Sequence, residues 1–337
     1  MLRADPRLPR EKTMRRREFI ALVGGAAAAW PLAARAQEAS RAYRLGVLTF
    51  SPRNAPYMVA MFDELRRQGF IEGQNLTVDW RECGQHINLI SEFAEDLVKG
   101  RVDVIYAAGD AGIRAAQQAT ATIPILGITQ DMVGQGLVNS FARHGGNTTG
   151  VSVLATELDG KRQEILIEAV PELHRMAVLA DSTATRLPQL QALQDAARAR
   201  GVDVSIHRVA SAEEITTAID AAKASGAAAL NVLSSPLLYG TRQLIMDRVA
   251  ALRLPAIYQF PEVAEEGGFV AYGPSIIQNF RELMAQKLVK LLRGVKPADI
   301  PVEQPTKFEL WINLKTAKAM GVTVPEALLV RADKVIE

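Results

Sequence analysis

Residues 96–129, DLVKGRVDVIYAAGDAGIRAAQQATATIPILGIT, contain the pattern that decides the fold. Two short runs rich in apolar and β-branched residues, VDVIYA (102–107) and PILGIT (124–129), flank a segment with helical periodicity at 110–118. Two strands joined by a crossover helix form a βαβ unit, whose strands lie parallel and whose connection is right-handed. The stretch therefore predicts a parallel sheet covered by helices.

The same alternation extends along the whole chain and occurs twice. Strand-like runs at 44–50 and 75–80 precede the stretch quoted above. A second series has predicted strands at 176–180, 202–209, 228–233 and 255–260, with predicted helices at 188–200, 212–225 and 241–252. Each series is long enough to bury its own core. The sequence thus predicts an α/β protein with two βαβ lobes of similar topology.

Three extended segments, at 141–153, 267–275 and 305–314, separate or interrupt the two series. A long amphipathic helix is predicted at 276–293, between the second and third segments. Three crossings indicate lobes tied by a multi-strand hinge, whereas a single linker would indicate two independent domains. We predict a first lobe made of residues 43–150 plus 271–304 and a second lobe made of residues 151–270 plus 305–337.

Basic residues are concentrated at the N-terminus. Residues 1–36 hold eight of the 39 Lys and Arg but three of the 37 Asp and Glu, so the rest of the chain has a net charge of −3. RRREFI (15–20) precedes a short apolar stretch that ends in an A-x-A site at 34–36. This arrangement is typical of a secretory signal, and its Arg pair resembles the twin-arginine export motif. We expect cleavage near Ala36 and a soluble periplasmic protein.

The sequence lacks the motifs of common catalytic and cofactor sites. No G-x-G-x-x-G follows the first strand, no G-x-x-x-x-G-K-S/T occurs, and no G-x-S-x-G is present. The four His are scattered without metal-ligand spacing, and the single cysteine, Cys83, excludes an internal disulfide and a thiolate-rich zinc site. We therefore predict a protein that is not an enzyme, with no cofactor, no metal and no clustered basic face for nucleic acid.

Candidate ligand-binding residues follow the predicted strands, because open parallel sheets bind ligands beyond the carboxyl ends of their strands. These positions carry small hydroxyls, carboxylates and aromatic rings. Such groups suit a carboxylate, an ammonium group and a planar apolar group, so they favour an amino-acid-like, aromatic or other small organic ligand. The candidates are Thr49, Phe50, Ser51, Gly109, Asp110, Asp131, Asp181, Ser182, Ser234, Ser235, Phe260 and Tyr272.

Several of these candidates also have a structural explanation. Asp110 and Ser51 are suited to capping helices, Asp131 is suited to holding a turn, and Phe260 is suited to the core of the second lobe. The residue types and their spacing leave these alternatives open.

Four segments carry a resemblance to a known family: the stretch 96–129, DMVGQGLVNSFARHGGNTTGVS (131–152), ELDGKRQEILIEAVPELHRMAVL (157–179) and VEQPTKFELWINLKTAKAMGVTVPEALLVRADKVIE (302–337). They resemble the ABC-transporter substrate-binding proteins, which include tryptophan-binding lipoproteins of Gram-positive bacteria. The resemblance covers residues 43–337. It implies a type I periplasmic-binding-protein fold, in which two Rossmann-like lobes joined by a three-strand hinge close on a ligand. It also implies a monomer whose partners are an ABC permease and its cytoplasmic ATPase.

The chain departs from the family pattern near the expected site. Family members often have Pro in place of Met132, Asn in place of Ser275 and a small neutral residue in place of Asp110. Together with Asp131 and Asp181, the charge of Asp110 favours a ligand that bears a cationic group. Two alternatives stay open: a sensory receptor for a membrane signalling partner, and a periplasmic enzyme with Asp110 or Asp131 as its base.

Overall fold

Two sheets account for the two series of strands that the sequence predicts. The computed structural model describes residues 41–84, 86–142, 145–153 and 155–337, so the predicted signal peptide lies outside the described residues. Within these ranges, twelve strands form one sheet of five and one sheet of seven. The prediction of an α/β protein with two lobes is confirmed.

The first sheet is parallel throughout. Its strands are β1 (Tyr43–Thr49), β2 (Leu76–Glu82), β3 (Val104–Ala108), β4 (Ile125–Thr129) and β5 (Thr148–Ser152), with helices α1 (Pro56–Arg67), α2 (Ile90–Lys99) and α3 (Gly109–Ala119). The strand order is β2-β1-β3-β4-β5. Ile90, Ala94 and Leu97 are buried on one face of α2, because their spacing of three or four residues places them on a single helical stripe.

The second sheet is parallel except at one pair of strands. Its strands are β6 (Arg175–Asp181), β7 (Asp203–Val209), β8 (Leu230–Val232), β9 (Ala256–Tyr258), β10 (Val270–Gly273), β11 (Glu309–Asn313) and β12 (Lys334–Ile336). Its first helices are α4 (Ala155–Ala169), α5 (Leu187–Arg198), α6 (Ala212–Ala224), α7 (Pro236–Gly240), α8 (Arg242–Ala251) and α9 (Glu262–Glu265). The strand order is β12-β11-β10-β9-β8-β6-β7, with β10 and β11 antiparallel.

The chain passes between the sheets three times: after β5, after β10, and through a segment around Glu303. The second passage leads into consecutive helical segments α10 (Ile276–Gln278), a π-helix (Asn279–Met284) and α11 (Ala285–Leu292), which pack against α1 of the first lobe. The third leads to β11, α12 (Leu314–Met320), α13 (Glu326–Leu329) and β12. Ser152 donates its N–H to the Glu303 carbonyl oxygen at 2.9 Å, so the first and third passages lie side by side. The three-strand hinge is confirmed.

The second passage begins slightly later than the sequence indicates. β10 stays paired with β9 and β11 as far as Gly273, whereas residue 271 is the predicted start of the first-lobe segment. A Cβ at Gly273 would lie 2.0 Å from the Gln259 carbonyl oxygen. This close approach explains why the strand ends on a glycine.

Gly150 provides a test of how tightly β4 and β5 pack. A Cβ at Gly150 would lie 1.9 Å from the Gly127 carbonyl oxygen, so Gly150→Ala must push the paired strands apart. We expect the free energy of unfolding, measured by urea denaturation, to fall by about 2 kcal/mol or more. Gly160→Ala in α4 is the matched control, because a Cβ there has no neighbour within 4 Å. That change should stabilise by up to about 1 kcal/mol. Equal effects of the two changes would contradict the packing described.

Candidate functional site

The carboxyl ends of strands from both sheets meet at one cavity. Thr49 ends β1, Gly109 follows β3, and Ser234 and Phe260 follow β8 and β9 of the other sheet. The cavity, called here the inner cavity, has a volume of about 80 Å³. Its position between the two lobes is the one that the parallel topology predicts.

Aromatic rings from both lobes form one part of the inner wall. Tyr57 of α1 packs against Phe280 with ring centroids 4.5 Å apart, and Phe280 lies 6.0 Å from Tyr106 of β3. Tyr57 also lies 5.9 Å from Tyr239 of the second lobe, whose ring meets Phe260 edge-on at 5.0 Å. Burial raises the pKa of Tyr57 and of Tyr239, so both present neutral hydroxyl groups. The wall therefore suits a planar apolar group.

The remaining wall carries neutral polar groups. Thr49 Oγ1 accepts the Ser51 N–H at 3.2 Å, and Ser235 Oγ accepts the Leu238 N–H at 3.0 Å as the N-cap of α7. Gln130 is only 6% exposed, and its Nε2 has no hydrogen-bond partner. None of the described residues that line the inner cavity is an Asp, Glu, Lys, Arg or His. The inner cavity is thus uncharged.

A wider outer cavity of about 570 Å³ adjoins the inner one, and Phe50, Gly109 and Pro236 line both. The outer cavity contains charged groups, including Asp110 and Asp181. Burial raises the pKa of the Asp110 carboxyl, although the hydrogen bond that Thr129 Oγ1 donates to it acts in the opposite direction.

Each of these carboxylates already has partners within the protein. Thr129 Oγ1 donates to Asp110 Oδ1. Asp181 Oδ1 accepts the Thr183 N–H at 2.8 Å and the Thr183 hydroxyl at 2.7 Å. Both carboxylates therefore contribute to local structure at the mouth of the cleft.

The structure brings most of the predicted site residues together. Seven of them line the inner cavity: Thr49, Phe50, Ser51, Gly109, Ser234, Ser235 and Phe260. Asp110 and Asp181 line the outer cavity. The strand-end argument thus finds residues from both lobes that share one cleft.

Three predicted residues line neither cavity. Asp131 Oδ1 accepts the Gly134 N–H at 2.8 Å. The side chain therefore holds a turn, which is the structural role that the sequence leaves open for it. Ser182 Oγ donates to the Val209 carbonyl oxygen at 3.1 Å. Tyr272 packs beside Phe308, with ring centroids 6.5 Å apart, on the face of β10 away from the cleft. Local hydrogen bonds hold the side chains of Asp131 and Ser182 away from the cavities. The alternation of side chains along β10 accounts for the position of Tyr272.

Sequence reasoning missed Tyr57, Tyr106, Tyr239 and Phe280. These rings lie within helices or a strand, whereas the prediction considered only the loops that follow strands. A partial signal exists for Tyr57, which is the second residue of the helix that follows the first strand loop. Nothing in the local sequence indicates that Phe280, 174 positions after Tyr106, packs beside it.

The described part of the chain holds no group of three or more His, Cys, Asp or Glu arranged to bind a metal ion. Among the residues with assigned positions, no helix is both long enough and apolar enough to cross a membrane.

Comparison with known proteins agrees with this architecture. The sequence profile of the family described as ABC transporter substrate binding protein matches residues 57–336. The chain belongs to this family. The resemblance seen in the sequence is thereby confirmed, and the family binds substrates for ABC transporters, as expected for a cleft between two lobes.

Individual relatives and solved structures match this chain with sequence identities of 22% to 25%. The chain is 25% identical over 266 residues to a tyrosine-binding protein of Clostridioides difficile (strain R20291), covering 77% of this chain and 74% of the relative. It is similar to an ABC domain from Streptococcus pneumonia in complex with L-Trp, with a TM-score of 0.77, 22% identity, and coverage of 88% and 100% of the two chains. A conserved domain protein from Vibrio cholerae matches at a TM-score of 0.77, with 22% identity and coverage of 88% and 99%.

The raised pKa of Asp110 predicts a pH-dependent effect of Asp110→Asn. A carboxyl whose pKa is higher in the folded state favours folding while protonated, and this contribution is lost as the pH rises through the folded-state pKa. We expect the variant to unfold at higher urea concentration than the wild type at pH 7. The difference should shrink towards about pH 4, the ordinary range of Asp. A difference that is the same at both pH values would contradict a raised pKa of Asp110.

Proposed function

We propose that this substrate-binding protein is the extracytoplasmic receptor of an ABC importer, and that it captures an aromatic or amino-acid-like solute between its lobes. The observation that carries the proposal is the aromatic inner cavity, to which strand ends of both lobes contribute. A solute bound there contacts both lobes at once and therefore stabilises their closed arrangement. The closed pair of lobe surfaces is then what a membrane permease recognises, and the cytoplasmic ATPase of that permease drives transport.

The ligand class follows from the composition of the wall. Rings such as Tyr57, Tyr239 and Phe280 offer faces and edges for a planar group, while the hydroxyls of Ser51 and Ser234 offer hydrogen bonds. The names of the relatives support this class, since one is a tyrosine-binding protein and one similar structure holds L-Trp.

The size of the inner cavity supports opening and closing of the cleft. Its volume of about 80 Å³ is smaller than the ~150 Å³ apolar cavity that holds benzene. A planar solute therefore enters only when the lobes move apart. One contact across the mouth is suited to control this motion: Arg186 at the start of α5 donates to the Gly134 carbonyl oxygen and, at 3.0 Å, to Gln135 Oε1 of the first lobe.

The proposed location of the protein is the periplasm. The signal at residues 15–36 of the sequence favours a periplasmic location with cleavage near Ala36, where a solute receptor meets its ligand. We propose a monomer, because one chain supplies both walls of the cleft.

The proposal is tested by a thermal-shift screen of aromatic amino acids, aromatic acids and small amines, followed by comparison of two Tyr variants with the best binder. Saturation at 100 times the dissociation constant should stabilise the wild type by about 2.7 kcal/mol. Tyr239→Leu should weaken binding by about tenfold, because it removes a ring from the cavity wall. Tyr272→Leu is the matched control, since Tyr272 lines neither cavity, and its affinity should equal that of the wild type. Equal losses in both variants would contradict the site.

Arg186→Ala tests the contact across the mouth. Loss of the two hydrogen bonds to the first lobe should increase the radius of gyration of the unliganded protein, measured by small-angle X-ray scattering, and weaken the affinity for the best binder several-fold. Arg198→Ala is the control, because Arg198 pairs with Asp195 within α5 and does not reach the first lobe. If Arg186→Ala matches Arg198→Ala in both measurements, Arg186 does not hold the lobes together.

A further inference from the structure

The inner cavity offers no charge to a solute. Its described lining combines aromatic rings, aliphatic groups, hydroxyls and one amide, without an acidic or basic side chain. An ammonium group that moves from water into such a site loses its hydration and gains no opposite charge. Entry of a cationic group into the inner cavity is therefore unfavourable.

The carboxylates of the cleft line the outer cavity and not the inner one. Asp181 accepts two hydrogen bonds from Thr183, at 2.8 Å and 2.7 Å, and Asp110 accepts one from Thr129. Arg114, which lines the same outer cavity, adds a positive charge that opposes an ammonium group. The third carboxylate there, Glu82, lies at the exposed end of β2. An ammonium group that enters the inner cavity therefore leaves these carboxylates in the outer one.

The polar group that lacks a partner in the inner wall is a hydrogen-bond donor. Gln130 lines the cavity, is 94% buried, and has no partner for its Nε2 in the described structure. A buried donor without an acceptor is costly, so a ligand oxygen that accepts from it contributes to binding. The same donor repels the N–H groups of an ammonium.

We propose that the recognised solute is a planar aromatic compound that carries an acceptor oxygen, as a carboxylate or carbonyl, and no ammonium group. This deepens the proposed function and rests on it. It replaces the expectation from the sequence that Asp110, Asp131 and Asp181 favour a cationic ligand. The structure places Asp131 in a turn, and Asp110 and Asp181 line the outer cavity and not the inner one.

The direct test uses pairs of compounds that differ only in the amino group. Exhaustively dialysed wild-type protein is titrated by calorimetry with phenylalanine and 3-phenylpropanoate, tyrosine and 3-(4-hydroxyphenyl)propanoate, and tryptophan and indole-3-propanoate. Benzamide and benzoate then separate a neutral carbonyl from a carboxylate. We expect the deaminated member of the preferred pair to bind about tenfold more tightly or better.

The outcomes separate this inference from the proposed function. If an amino acid binds as tightly as its deaminated partner or more tightly, the inference is overturned while the aromatic receptor stands. If no aromatic compound of any pair binds, the proposed function fails, and the inference fails with it.

Variants of Gln130 provide an independent test of the ligand preference. Gln130→Glu places a carboxylate in the wall and should reverse the preference within a pair, whereas Gln130→Met keeps the length, removes the donor and should weaken binding of the deaminated compound about tenfold. Thermal melts establish that each variant is folded before titration. An unchanged ratio of affinities in a folded Gln130→Glu variant would overturn the role of Gln130.

Discussion

The packing of Tyr57 in the first lobe against Tyr239 in the second joins the two lobes across the inner cavity. Their ring centroids lie 5.9 Å apart, and both rings belong to one apolar cluster that includes Val104 of the first sheet and Val232 of the second. Within the described chain, only three backbone segments connect the lobes covalently. Side-chain packing between the lobes therefore helps to set their relative position. Burial of these rings therefore stabilises the contact between the lobes and forms part of the wall of the inner cavity.

Buried charges are found at the hinge and not in the inner cavity. Lys287, 2% exposed, donates to the Pro301 carbonyl oxygen and to Glu303, each at 2.7 Å, and so fixes the third passage to α11. Arg162 pairs with Asp159 and donates to the Tyr272 carbonyl oxygen at 3.4 Å, beside the second passage. Arg162 and Asp159 are both buried, so removing one partner of that pair is strongly destabilising. Directional charge pairing at the hinge thus accompanies an uncharged inner cavity between the lobes.

The sequence predicts the fold well because strand and helix periodicity is a local property. It predicts Thr49, Ser234 and Phe260 in the site because the carboxyl ends of parallel strands must lie at one edge of each sheet. It also predicts Asp131, whose carboxylate accepts a hydrogen bond from an N–H three residues away and lines neither cavity. Tyr57 and Tyr239 escape prediction, since their contact depends on how two separately folded lobes face each other.

An uncharged cavity changes how a receptor of this kind discriminates between solutes. A site that pairs charges recognises a ligand by attraction, whereas this wall disfavours an ammonium group, which loses water without gaining a counter-charge, and offers a carboxylate or carbonyl oxygen the Nε2 donor of Gln130. The rings of Tyr57 and Tyr239 contact each other directly across the cleft, so their packing contributes to the contact between the lobes. In the proposed mechanism, a ligand increases the population of the closed state only through the contacts that it adds. These contacts are with the ring faces and with the unpaired Nε2 of Gln130. Selectivity in such a cleft depends on shape and on one hydrogen bond more than on charge.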